Sequence, residues 1–165
     1  MSILPGTTGR RRLYLMRHGH VDYFAPKIAT IGGIRDISLT PQGRDEAEAA
    51  ALALSAVVLD RVFCSGLPRA RQTAEIVVEH QARLQNIEAE SALSEIRGGR
   101  LLDVSNRSEL IATMVFHFAR AGEDGATMLE GGEAFAGAQE RAVGVVRRIL
   151  GESGWRQILI VAHEG

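Results

Sequence analysis

Five side chains of this sequence could together move a phosphoryl group: Arg17, His18, Arg69, Glu95 and His163. Arginine offers a fixed fork of donors that suits phosphate oxygens. A histidine near neutrality can act as nucleophile, base or hydrogen-bond donor. A carboxyl group near a phosphate clamp can serve as a general acid when burial or anionic surroundings raise its pKa. Two imidazoles, two guanidinium groups and one carboxylate make a poor metal site, because the arginines repel a cation. They suit phosphoryl transfer through a covalent intermediate. A neutral imidazole attacks phosphorus, cationic donors spread the transition-state charge, and an acid protonates the leaving oxygen.

The elements that must position these groups can be read from the apolar pattern. Leu13–Met16 is a short apolar run, long enough for one buried strand, and it ends in Arg17, His18 and Gly19. The run 157–162 (QILIVA) repeats the device and ends in His163. Ligands bind at the carboxyl ends of strands in open α/β sheets. Two parallel strands of this kind would therefore bring both imidazoles to one rim. Between them, Thr40 and Pro41 make a strong helix start, as N-cap and first helical residue, for a helix reaching about Ser55. Val57–Cys64 reads as a second buried strand and Pro68–His80 as a second helix. The Ser65-Gly66 turn leads into a first helical turn that holds Arg69, where free N–H groups favour an anion. Ile87–Leu93 fits a short strand, Ser108–Ala121 and Glu133–Gly151 fit helices, and Ser94–Leu102 is a polar loop carrying Glu95. Strand and helix alternate, which predicts a parallel sheet flanked by helices.

Composition bounds the rest. A chain of 165 residues with 45% hydrophobic and 24% charged residues is expected to form one soluble globular domain, 13–165, after a flexible tail, 1–12. A formal net charge of −1 gives no general pull toward nucleic acid or membrane, and no apolar segment is long enough to span a bilayer. The single cysteine, Cys64, cannot form an intramolecular disulfide and fits a cytoplasmic protein. It reads as packing rather than as a nucleophile. His20 lies near the nucleophile candidate as a possible substrate contact or a solvated loop residue. His80 and His117 read as surface or satisfied positions in helices.

The sequence resembles the histidine phosphatase superfamily, the phosphoglycerate-mutase-like proteins. The matching pieces are LYLMRHG (13–19), LTPQGRDEAEAAA (39–51), CSGLPRARQTAEIV (64–77), SEIRGG (94–99), EGGEAFAGAQERA (130–142) and ILIVAHEG (158–165), in family order. The resemblance implies a three-layer αβα sandwich with a mainly parallel sheet and a small helical cap, roughly 96–132. It implies that His18 accepts the phosphoryl group, that Arg17 and Arg69 clamp its oxygens, and that His163 donates to the same oxygens. Glu95 then protonates the leaving group and activates water. It implies no metal and no organic cofactor, and a small phosphomonoester as substrate.

Three departures from the family pattern matter. Phe24 stands where an asparagine often contacts the phosphate, so the clamp is expected to lack one donor or the loop to be threaded differently; Ile34 follows Gly33 where mutases tend to carry tryptophan, so the substrate wall is expected to differ, with Phe24 and Gly33 as possible substrate contacts. Family members continue past the second histidine, whereas this sequence stops two residues after His163, which implies a truncated C-terminus. The short interval from Glu95 to His163 resembles compact phosphatases. The expected activity is phosphomonoester hydrolysis through phosphohistidine. The alternatives are mutase-type transfer and a catalytically weak phosphoester-binding or regulatory module.

Overall fold

The computed structural model describes residues 9–23, 36–83, 86–99, 107–120, 122–123, 125–127, 129 and 131–163. Phe24, Gly33 and Ile34, singled out by the sequence, lie outside them. The described residues group into two compact units, one of residues up to Ser94 together with Glu152–His163, the other of Glu95–Gly151.

The first unit is built on a four-stranded parallel sheet in the order β1-β4-β2-β3, with β1 Arg12–Arg17, β2 Arg61–Cys64, β3 Ile87–Ala89 and β4 Gln157–Ala162. Helix α1, Pro41–Leu54, packs on α2, Pro68–Glu79, and α2 packs on β2, β3 and β4. Strand alternation divides the apolar residues of the central strands. Val62, Cys64, Leu159 and Val161 join one core with Ala47, Ala51, Ala70, Ala74 and Val77. Phe63, Ile158 and Ile160 point the other way and are buried as well. Burial on both faces is what near-continuous apolar strands of a parallel sheet require. The small residues on α1 and α2 let the helices approach closely.

Helix α1 starts as its sequence dictates. Thr40 is extended, and its Oγ1 accepts from the Gly43 N–H at 3.1 Å, with Pro41 at the first helical position. Two strands are shorter than their β-branched content suggests. Val57 N–H bonds back to Leu54 O, so 57–60 serves as the exit from α1, and pairing begins at Arg61 opposite Ile158. The Asp60 carboxylate caps the neighbouring strand by accepting from the N–H groups of Arg156 and Gln157. Strand β3 stops at Ala89 because a 3-10 turn, Ser91–Leu93, follows. At the amino-terminal end of β2, Arg61 donates to both oxygens of Glu88 and also pairs with Glu152.

The second unit contains α3, Arg107–Ala119, and α4, Phe135–Gly151. On α3, Ile111, Val115, Phe116 and Phe118 are all exposed, and the Phe118 ring meets that of Phe135 at 5.2 Å between centroids, tilted by 56°. Its loop segment is held by an ion pair. Arg141 donates to both oxygens of Glu133 at 2.7 and 2.9 Å, and the Glu133 carboxylate also accepts from the Arg97 N–H at 3.2 Å. The hydrogen bonds from Arg141 are the main reason that the Glu133 carboxyl falls to about 2.

Candidate active site

Register places the two histidines side by side. Arg17 pairs with Ala162, the last residues of β1 and β4, so His18 and His163 each follow one residue later on adjacent parallel strands. The His18 N–H continues the ladder by donating to Ala162 O at 3.1 Å. The two rings lie 5.1 Å apart between centroids and are tilted by 59°.

The environment of His18 fixes which of its nitrogens is free to react. Nδ1 lies 2.7 Å from Gly19 O, an acceptor only, so Nδ1 carries the proton and Nε2 the lone pair. Nε2 faces Arg69, whose Nε–H donates to it at 3.1 Å. His18 is 4% exposed and Arg69 1%. Burial is the largest influence on the imidazole; the Gly19 bond opposes it, and the charges of Arg69 and Arg17 add to it. Together they lower the group from 6.5 to about 4. The ring is therefore neutral at physiological pH, the state that a nucleophilic role would require.

The supports of this pair were not singled out by sequence. Thr73, one turn along α2 from Arg69, is buried; its Oγ1 donates to Arg69 O at 2.9 Å and accepts from the Gly19 N–H at 3.1 Å. One hydroxyl thus ties the nucleophile turn to the helix turn that carries the buried arginine. Its only sequence signal is the four-residue spacing from Arg69. Ser65, at the end of β2, sits 2.7 Å from His163 Nε2 through its Oγ. Its carbonyl accepts from Ser94 Oγ at 3.2 Å. The turn after His18 is pressed against α1. A side chain on Gly19 would collide with Gly43 O, and one on Gly43 with His20 O, so both positions need a residue without Cβ.

The remaining sequence candidates fall as follows. Arg17 is exposed at the end of β1. His20 is exposed, with Nδ1 2.8 Å from the N-cap hydroxyl of Thr40 and its backbone N–H on Glu46. Glu95 opens the second unit directly after Ser94, and its carbonyl lies 3.5 Å from Arg141 Nη2. His80 is half-buried between Ile76 O and the Glu48 carboxylate, a satisfied position. Cys64 is fully buried, and burial pushes its thiol up.

The model of the histidine phosphatase superfamily (branch 1) matches residues 13–165. The chain belongs to the histidine phosphatase superfamily. Within it, the chain is 30% identical over 155 residues to an adenosylcobalamin/alpha-ribazole phosphatase of Salmonella typhimurium, covering 93% of this chain and 74% of that relative. It is 41% identical over 75 residues to a 2-carboxy-D-arabinitol-1-phosphatase of Triticum aestivum, which is 45% of this chain and only 15% of the wheat protein. Among solved structures, a mycobacterial glucosyl-3-phosphoglycerate phosphatase superposes with a TM-score of 0.71 at 26% identity, over 93% of this chain and 74% of that one. The α/β fold of this histidine phosphatase superfamily member is thus that of its relatives. Among its described residues, no helix is long and apolar enough to cross a membrane.

Proposed function

We propose that this chain hydrolyses a small phosphomonoester through a phosphohistidine formed on Nε2 of His18. Phosphoester hydrolysis is the reaction for which the three relatives described above are named. The observation that carries the route is the tautomer of His18, with its proton held by Gly19 O and its lone pair directed at Arg69.

In this reading Arg69 guards the lone pair until substrate arrives. A phosphoryl group offers more negative acceptors than a neutral imidazole, so the guanidinium transfers its hydrogen bonds to phosphate oxygens and uncovers Nε2. Arg17 and His163 supply further donors to those oxygens. Nε2 then attacks phosphorus in line, the N–P bond forms, and the P–O bond to the leaving group breaks. Glu95, assigned by its family motif and its place directly after Ser94, gives its proton to the departing oxygen. The resulting carboxylate takes a proton from water, whose oxygen attacks phosphorus and returns His18 to its neutral form. The substrate is a small phosphorylated molecule, and we place the enzyme in the cytoplasm, where a chain with one cysteine needs no oxidising compartment.

The test is a single turnover with p-nitrophenyl phosphate, quenched in alkali and analysed for base-stable, acid-labile phosphate. Label on His18, absent from His18→Ala, is the expected result. Turnover at the wild-type rate in His18→Ala would overturn the proposal.

A further inference from the structure

We propose that Glu46 is a positioning residue for His18, acting through the Gly19–His20 peptide bond. Two hydrogen bonds share that peptide. Its carbonyl accepts from His18 Nδ1 at 2.7 Å, and its N–H, which belongs to His20, donates to Glu46 Oε2 at 2.8 Å. Carboxylate, amide and imidazole therefore form one chain of donors and acceptors, although Glu46 and His18 do not touch. An anion on the N–H side draws the amide toward its charge-separated resonance form and leaves more negative charge on the carbonyl oxygen. That oxygen becomes a stronger acceptor for the Nδ1 proton.

Local geometry is arranged for this. The other oxygen of Glu46 accepts from Gln42 Nε2 at 2.8 Å, one turn earlier on α1, which leaves Oε2 for His20. The first turn of α1 is fixed by the Thr40 cap and by the contact of Gly43 with His20, so the carboxylate is delivered to one peptide. The hydrogen bond from Gln42, followed by that from His20, holds the Glu46 carboxyl below its ordinary range, with Arg17 adding to the effect.

The consequence for the reaction rests on the phosphohistidine reading above. When Nε2 bonds to phosphorus and Nδ1 keeps its proton, the lone pair of Nε2 supplies the new bond and the ring becomes cationic. Arg17 at the end of β1 and Arg69 on α2 oppose that charge, and His163 lies beside the ring. Glu46 acts in the opposite sense, through the peptide. A stronger acceptor at Nδ1 favours a cationic ring more than a neutral one, so the gain is larger in the transition state than in the resting enzyme. No proton reaches Glu46.

The decisive variant is Glu46→Gln, which keeps an acceptor oxygen and removes the charge from an exposed helix surface. Three quantities are measured: the single-turnover rate of His18 phosphorylation by p-nitrophenyl phosphate, the inhibition constant of inorganic phosphate, and the proton shift of His18 Nδ1–H in histidine-labelled protein. We expect phosphorylation to slow about two- to tenfold, the range of one net hydrogen bond, with phosphate binding unchanged and the Nδ1–H resonance moved upfield. A wild-type rate with an unmoved resonance overturns the proposal. So does an equal loss of rate and phosphate binding with the resonance unmoved, since that makes Glu46 a structural residue only. Wild-type protein that takes no label on His18 defeats the phosphohistidine reading instead. In that case the resonance still reports whether Glu46 reaches the ring.

Discussion

In the proposed reaction His18 meets two demands with one ring: it must be neutral to attack and must hold its proton on the nitrogen that does not attack. Burial and the neighbouring arginines meet the first, and the Gly19 carbonyl the second. Titration of the His18 ring followed by NMR is expected to have its midpoint at about 4. A midpoint near 6.5 would show an imidazole in a solvent-like setting. The same depression bears on stability. Between about 4 and 6.5 the unfolded chain binds more protons at this position than the folded chain, so stability rises with pH across that window and is lost as pH falls through it. At this scale the sequence was informative about the groups proposed to react and silent about their supports. Arg17, His18 and His163 stand out because polar residues end apolar runs. Glu46 looks like any glutamate on a helix surface, and Thr73 like a helix-interior threonine; both matter through backbone groups of Gly19 and His20, and sequence does not display backbone partners.

Element boundaries carry their own lesson. The Thr40-Pro41 start of α1 was legible because capping is local chemistry, a hydroxyl and a ring three residues from the groups they serve. The start of β2 and the end of β3 were not. Val57 and Val58 have strand propensity, yet the turn after α1 claims the Val57 N–H, the Val58 carbonyl accepts from the Gln157 side chain, and register with β4 decides where pairing begins. The packing of the nucleophile turn on α1 gives a direct test. Gly43→Ala is expected to cost about 1–3 kcal/mol, the range for overpacking a close contact, because its Cβ meets the His20 carbonyl rather than a movable side chain. Thermal unfolding of the variant checks this. An unchanged midpoint would mean that the turn can lift away from the helix at little cost. The site should feel the same displacement, since His20 belongs to the peptide that holds His18.

For the molecule as a whole, the first unit shows how a short sequence concentrates function. Two parallel strands with the same ending, paired without an offset, put two imidazoles in contact distance, and the helix after β2 adds the arginine. The alternation of strand and helix predicted this sheet. It could not predict the Glu133–Arg141 pair, which secures the Arg97 segment of the second unit by contacts distant in sequence. One residue of the sheet has a further meaning in redox terms. Cys64 lies at the carboxyl end of β2, one residue before Ser65, in the neighbourhood where a cysteine-dependent phosphatase would keep its reactive thiolate. Here the sulfur is sealed in the core and its thiol is held protonated by burial. Iodoacetamide or mild peroxide should therefore leave phosphatase activity intact in the folded enzyme, with loss of activity only on unfolding. A catalyst built this way is expected to keep working under oxidant that would silence a phosphatase relying on an exposed thiolate.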